Sequence, residues 1–225
     1  MVRTLLWLPA SLLILACSTA QSSVVFLYDF PGTPGSGLAS DQTNPQPANA
    51  TFGDWSRVNV SPVGTAAAFD SNFWNTTSTF DPTQYASFSI TADAGYHLNL
   101  SLLTFDEMRT SGGPTKGHIE LFLDGSAAPY AVFNYNPSSQ WTSHTFNFAD
   151  TTDADNVGTV DFRFYGWNGG TPNASLIFDN VAVTLSIVPE PGTRVFALLP
   201  VGIALYSFAQ GLRRKKRTSL GRHRV

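Results

Sequence analysis

A chain of 225 residues has room for one ordinary domain, and its 13% aromatic and 13% charged residues, without long Ala/Glu/Lys/Leu stretches, favour strands over helices. The net charge of −3 hides a segregation: residues 21–188 carry four bases (Arg57, Arg109, Lys116, Arg163) against fifteen acids, a net −11, while seven bases crowd into residues 213–225. So acidic a body excludes a nucleic-acid partner, having too few cations to neutralise phosphate, and a lone cysteine, Cys17, excludes a disulfide framework, a zinc cluster or a catalytic thiol in that body.

Residues 1–20, MVRTLLWLPASLLILACSTA, place one base at Arg3 before an apolar run from Leu5 to Ala16, then small residues at Ser18 and Ala20. That order predicts a signal-peptide helix cut between Ala20 and Gln21. A second reading stays open, because ILAC is similar to a bacterial lipobox, which would make Cys17 a lipidated N-terminus.

Residues 31–55, rich in Pro, Gly, Asn and Thr, predict a long polar loop, part of it wrapping a sheet edge. Around it, period-two runs predict eight strands: 24–30, 84–91, 97–106, 117–125, 130–135, 141–149, 158–167 and 174–188. Turn signals such as SGGPTKG, DGSAAP, NPSSQ and NGGTPN separate them, and no amphipathic helix intervenes. The expected fold over 21–187 is all-β, an antiparallel two-sheet jelly-roll sandwich.

Beyond it, Val195–Leu212 is an uncharged run of 18 residues, as a helix about 27 Å long and nearly the thickness of a hydrocarbon core. Arg213, Arg214, Lys215, Lys216 and Arg217 follow; positive charge stays cytoplasmic, which puts the body on the far side and leaves 218–225 as a cytoplasmic tail. Just outside the span, Pro189 and Pro191 flank Glu190; fixed φ and missing donors are expected to keep this segment extended and out of any sheet ladder.

The arrangement Val188-Pro189-Glu190-Pro191, apolar helix 195–212 and basic cluster 213–217 resembles the PEP-CTERM sorting signal of Gram-negative bacteria over about the last 38 residues. The extension TSLGRHRV departs from that pattern. The resemblance implies processing near the Pro-Glu-Pro by an exosortase, a transient inner-membrane anchor over 188–217, and delivery to the cell surface or the exopolysaccharide matrix. In the body, YASFSITADAGYHLNLSLLTFD, IELFLDG, VDFRFYGW and LIFDNVAV resemble in order the jelly-roll domains found upstream of such tails, and those of the carbohydrate-binding-module or galactose-binding-like superfamily. That resemblance implies a fold and not a ligand.

Trp55, Trp74, Trp141 and Trp167, with Tyr165, are either core residues or sugar-stacking platforms; Trp167, entering the turn YGWNGGTPN, is the best placed to be exposed. Asp179 shares parity with Ile177, Val181, Val183 and Leu185, so a regular strand aims its carboxylate at the core, where it needs a partner. Calcium held with Asp29 is one solution, matching the last-strand aspartate of carbohydrate-binding jelly rolls. A bulge at Asp179-Asn180 or a pair with Arg163 are others. Catalysis finds little: His97, His118 and His144 are scattered, and Asp106 and Glu107, as chain neighbours, point opposite ways or lie in a solvated loop. The sequons at Asn49, Asn59, Asn75, Asn99 and Asn173 fit a Thr/Asn-rich surface.

The sequence is thus expected to encode an exported, non-enzymatic bacterial surface or matrix protein, structural or carbohydrate-binding within exopolysaccharide. Its expected partners are the general secretion machinery, an exosortase, the inner membrane and polysaccharide, with calcium as the one candidate cofactor. A permanently anchored binding protein or a glycan-active enzyme are the alternatives.

Overall fold

Alternating apolar and polar residues become twelve strands in the computed structural model, which describes residues 23–28, 30, 47–64, 68–148 and 154–190. The signal peptide with Cys17, Ala20 and Gln21, the carboxylate of Asp29, and all from Pro191 through the apolar span to Arg217 lie outside these residues. Among the described residues no helix is long and apolar enough to cross a membrane. In chain order the strands are β1 (Ser23–Tyr28), β2 (Ala50–Phe52), β3 (Ser56–Val58), β4 (Ser61–Pro62), β5 (Phe69–Asn72) and β6 (Tyr85–Ala92). They continue with β7 (Tyr96–Arg109), β8 (Lys116–Leu123), β9 (Ala131–Tyr135), β10 (Thr142–Asn147), β11 (Thr159–Trp167) and β12 (Leu176–Pro189).

The first sheet runs β10-β7-β12-β5-β4, with β1 pairing β12 beyond β5; the second runs β2-β6-β11-β8-β9, with β3 also on β6. Every pairing is antiparallel, so the fold is an all-β two-sheet sandwich of the jelly-roll kind the sequence predicts. All eight predicted strands are present. The four unpredicted ones, β2 to β5, hold two to four residues each, too few for a period-two pattern to show. One of them, β2, lies inside the stretch expected to be a loop throughout.

One face of each central strand fills the interior: Ala86, Phe88 and Ile90 from β6, Val160, Phe162 and Phe164 from β11, Leu103 and Phe105 from β7, Val181, Val183 and Leu185 from β12. Rings join the two layers. Phe26 of β1 stacks on Phe52 of β2 at 3.8 Å between centroids. Trp55, in the link from β2 to β3, contacts Phe69 (4.7 Å) and Phe178 (5.9 Å) of one sheet and Phe164 (4.9 Å) and Phe88 (5.1 Å) of the other. Arg57 of β3 latches the sheets on one side: Nε donates to Ser71 Oγ (2.8 Å), Nη2 donates to the Asp70 carbonyl (2.9 Å), and the guanidinium lies 3.6 Å over the Phe69 ring. Burial pushes its pKa down to about 10, with Asp70 opposing, so it stays cationic at neutral pH.

The long pair β7·β12 carries two irregularities. Asp179 faces Asp106 while Ala182 faces Thr104, so β12 holds one extra residue, with Asn180 in the left-handed region at φ 48°. Farther along, Thr184 faces Leu102 while Leu185 faces Leu100, so β7 holds the extra residue there. Each bulge switches which parity points inward. Leu176 and Phe178 fill the core before Asn180, and Val181, Val183 and Leu185 after it.

The interior wall of Trp55 cannot collapse onto a smaller side chain without moving rings in both sheets. Trp55→Ala is expected to cost about 3–5 kcal/mol of unfolding free energy, read from denaturant midpoints. A loss under about 1 kcal/mol would show that the two layers do not depend on this ring.

Candidate functional site

On β11 the inward residues Val160, Phe162 and Phe164 leave Asp161, Arg163, Tyr165 and Trp167 on the outer face of the second sheet. Antiparallel register then sets their neighbours. Asp161 lies between Ser89 of β6 and Phe122 of β8, Arg163 between Ser87 and Glu120, Tyr165 beside His118, and Trp167 beside Lys116. Arg163 is held flat: Nε donates to Asp161 Oδ2 at 2.9 Å, and the guanidinium lies 4.0 Å over Phe122 and 5.2 Å over Tyr85. The result is a strip of hydroxyl, carboxylate and guanidinium groups flanked by rings.

One end of this face is covered. Phe80, from the link between β5 and β6, packs on His118 (4.4 Å between centroids), Tyr165 (5.1 Å) and Trp167 (5.5 Å). Local turns built by polar side chains place it there. Asn75 Oδ1 accepts the Thr77 amide (2.8 Å) while its Nδ2 donates to the Thr79 carbonyl (2.7 Å), and Asp81 Oδ1 accepts the Thr83 amide (2.9 Å) and hydroxyl (2.7 Å). Those Thr83 hydrogen bonds hold the Asp81 carboxyl below its ordinary pKa. The Asn168 amide donates to the Thr77 carbonyl (2.9 Å), tying this link to the turn after Trp167.

Under Phe80, Tyr165 is 1% exposed and burial raises its phenol well above the ordinary value, Glu120 adding to the effect. His118 is 7% exposed, and its Nε2 makes no hydrogen bond, with Glu120 Oε1 3.6 Å away. Of the sequence-predicted residues, Trp167 and Tyr165 are therefore brought together here, but Tyr165 is a support beneath Phe80 rather than an open platform. Phe80, His118, Glu120 and Arg163 were missed. The alternation in VDFRFYGW was the signal for Arg163; nothing local announces Phe80, whose role arises across the fold.

Trp55 is corrected. At 1% exposure, between the two sheets, it is a core residue rather than an exposed stacking platform. Trp74 is likewise buried, its Nε1 donating to the Ser71 carbonyl at 2.7 Å, whereas Trp141 is exposed. Asp179 does not point to the core either, because the Asn180 bulge takes it off the inward parity, and its Oδ1 accepts the Asn180 amide at 2.8 Å. Arg163 pairs with Asp161 instead. Asp179 is thus not a carboxylate stranded in the core, and Asp29, the other residue expected to hold calcium, lies outside the described residues. Among the described residues no three His, Cys, Asp or Glu side chains converge as a metal site.

Asp106 and Glu107 lie within β7 rather than in a loop after it, on opposite faces. Asp106 accepts Ser143 Oγ and Asn180 Nδ2 outside. Glu107 is fully buried and accepts the Ser138 amide at 3.0 Å, with His144 Nε2 3.3 Å away. The Pro-Glu-Pro segment also differs from expectation. Val188 pairs with His97 and Pro189 with Tyr96 as the last rungs of β12, and the Glu190 amide donates to the Gly95 carbonyl at 2.9 Å. A proline at the end of a strand leaves few rungs needing its missing donor, so Pro189 is tolerated in the ladder.

Burial holds the His118 imidazole below its ordinary pKa, with the Glu120 carboxylate opposing. The native state keeps this ring neutral, while the unfolded chain protonates it near 6.5, so stability is lost as pH falls through about 6.5. Thermal midpoints measured from pH 7.5 down to 5.5 are expected to decline, and His118→Phe is expected to flatten that decline; an unchanged slope in the variant would remove His118 from the account.

Neither a protein-family model nor a curated protein sequence matches the chain. Among solved structures it is similar to a family 29 carbohydrate-binding module mutant complexed with mannohexaose (12% identity, 72% of this chain and 92% of that one, TM-score 0.40). It is also similar to a CBM4 module (14%, 72% and 97%, TM-score 0.43) and to the first family 29 module of Piromyces equi (12%, 72% and 91%, TM-score 0.40). The likeness is one of strand arrangement.

Proposed function

We propose that this is an exported, non-catalytic surface or matrix protein that binds polysaccharide on the outer face of its second sheet. The observation that supports this most is the strip of Ser87, Ser89, Glu120, Asp161 and Arg163 beside the ring of Tyr85, with the half-buried Trp167 farther along the same face against Phe80. Hydroxyl-rich chains need closely spaced donors and acceptors together with aromatic faces, and this strip offers both on a rigid sheet. In this reading the leader at residues 1–20 and the general secretion machinery export the chain. Segment 188–217 anchors it transiently in the inner membrane with its C-terminus cytoplasmic, an exosortase processes it, and the sandwich is left at the surface or in exopolysaccharide. Calcium has no assigned place in it.

A second reading, permanent anchoring, gains support from the rungs at Val188 and Pro189 and the Glu190–Gly95 bond, which hold the start of the Pro-Glu-Pro segment against β7 and away from a processing enzyme. Intact mass spectrometry of the protein from its native envelope separates the two. Loss of Arg213–Arg217 supports sorting, and a chain still carrying them supports the anchor.

For the binding face, Trp167→Ala and Arg163→Ala are each expected to weaken retention on the host's exopolysaccharide about tenfold, as for a lost interaction of ~1.4 kcal/mol. Arg163 lies outside the core, so its variant should stay folded, its unfolding midpoint lowered only slightly by the loss of the contacts to Asp161 and Phe122. Undiminished retention in both variants would remove this face as the binding surface.

A further inference from the structure

A separate cleft of about 550 Å³ opens beside β4 and β5, lined by Asn59, Val60, Ser61, Phe73, Trp74, Asn75, Thr76, Gln84 and Pro172. Three features mark this cleft. Phe73 exposes 47% of its surface on a backbone in the left-handed region, φ 60°, a conformation costly for an aromatic residue and held by its amide donating to the Pro172 carbonyl at 2.7 Å. Asn59, across the cleft, is also left-handed at φ 53°, its Nδ2 donating to the Thr83 carbonyl at 2.9 Å. Gln84 also lines the cleft, and its side-chain carbonyl Oε1 is buried and accepts no hydrogen bond. A buried acceptor left unpaired is costly in the empty protein and is relieved by any occupant that brings a donor.

The lining says what kind of occupant fits. Its polar groups are amides and hydroxyls with no charged side chain among them, which disfavours an ion. Its apolar part is an outward-facing ring with Val60, Trp74 and Pro172 around it. A neutral pyranose supplies both halves of the match, an apolar ring face for Phe73 and hydroxyl donors for Gln84 Oε1. We propose that this cleft is a second saccharide site, taking a single neutral sugar unit or chain end, with the sugar ring on Phe73 and one hydroxyl donating to Gln84. It extends the carbohydrate reading but does not use the sheet face, so each stands or falls separately.

The test is saturation-transfer NMR and titration calorimetry of the full-length chain against glucose, galactose, mannose and N-acetylglucosamine, run beside retention on exopolysaccharide. At least one monosaccharide is expected to bind wild type, and Phe73→Ala and Gln84→Met are each expected to weaken it about tenfold or more. Arg163→Ala should leave monosaccharide binding unchanged. Gln84→Met keeps the length of the side chain and removes the unpaired acceptor, so its thermal midpoint should equal or exceed that of wild type, which keeps the test clear of misfolding. Exopolysaccharide retention with no monosaccharide binding, or monosaccharide binding indifferent to Phe73 and Gln84, overturns the cleft and leaves the sheet face standing. Loss of monosaccharide binding in Arg163→Ala equally overturns it, since the two sites would then be one.

Discussion

Everything in this sandwich depends on rings that bridge its two layers. With few charges and its one cysteine at position 17, ahead of the strands, the described residues hold no disulfide, and their ion pairs are isolated ones. Phe26 on Phe52, and Trp55 amid Phe69, Phe88, Phe164 and Phe178, instead bury large apolar areas from both sheets at once. A fully buried aromatic side chain contributes about 1.5–3 kcal/mol of hydrophobic free energy, and packing between rings adds to it. Such a core fixes the spacing and rotation of the sheets, and so fixes which side chains are left on the outer faces.

The two bulges in β7·β12 act on the same problem from the backbone. A side-chain period of two lets one inserted residue move every later side chain to the other face. The extra residue at Asn180 brings Val181, Val183 and Leu185 inward and takes Asp179 off the inward parity. Without it a single parity would run through the strand, turning either Asn180 and Thr184 or the Asp179 carboxylate into the apolar layer. Two carboxylates are buried among the described residues: Glu107, which accepts the Ser138 amide with the His144 ring beside it, and Asp70, next to the Arg57 guanidinium.

The link from Phe73 to Gln84 organises both proposed binding surfaces. Its Asn and Asp turns carry Phe80 over one end of the second sheet, where it sequesters Tyr165 and His118 and leaves the Arg163 strip open. Its first residues line the cleft where Phe73 faces out. A polar, Thr- and Asn-rich segment thus places aromatic rings in two different environments, through local turns and through backbone bonds to Pro172 and Asn168.

Alternation alone determined the long strands: QYASFSIT, GHIELFLDG and VDFRFYGW each turn one parity to the core, and each becomes a strand of the second sheet. It also placed Trp167 at the edge of a turn, because YGWNGG ends a run with flexible residues. The tertiary structure decided what no local pattern encodes. Strands of two to four residues exist only because a neighbour offers a ladder, so β2 to β5 were invisible. Trp55 and Trp167 are chemically alike, and only the packing of distant strands sends one to the centre and the other to the rim. Asp179 and Phe80 make the same point, since a bulge and a long-range ring contact depend on partners about 70 and 85 residues away along the chain, beyond any short window of sequence.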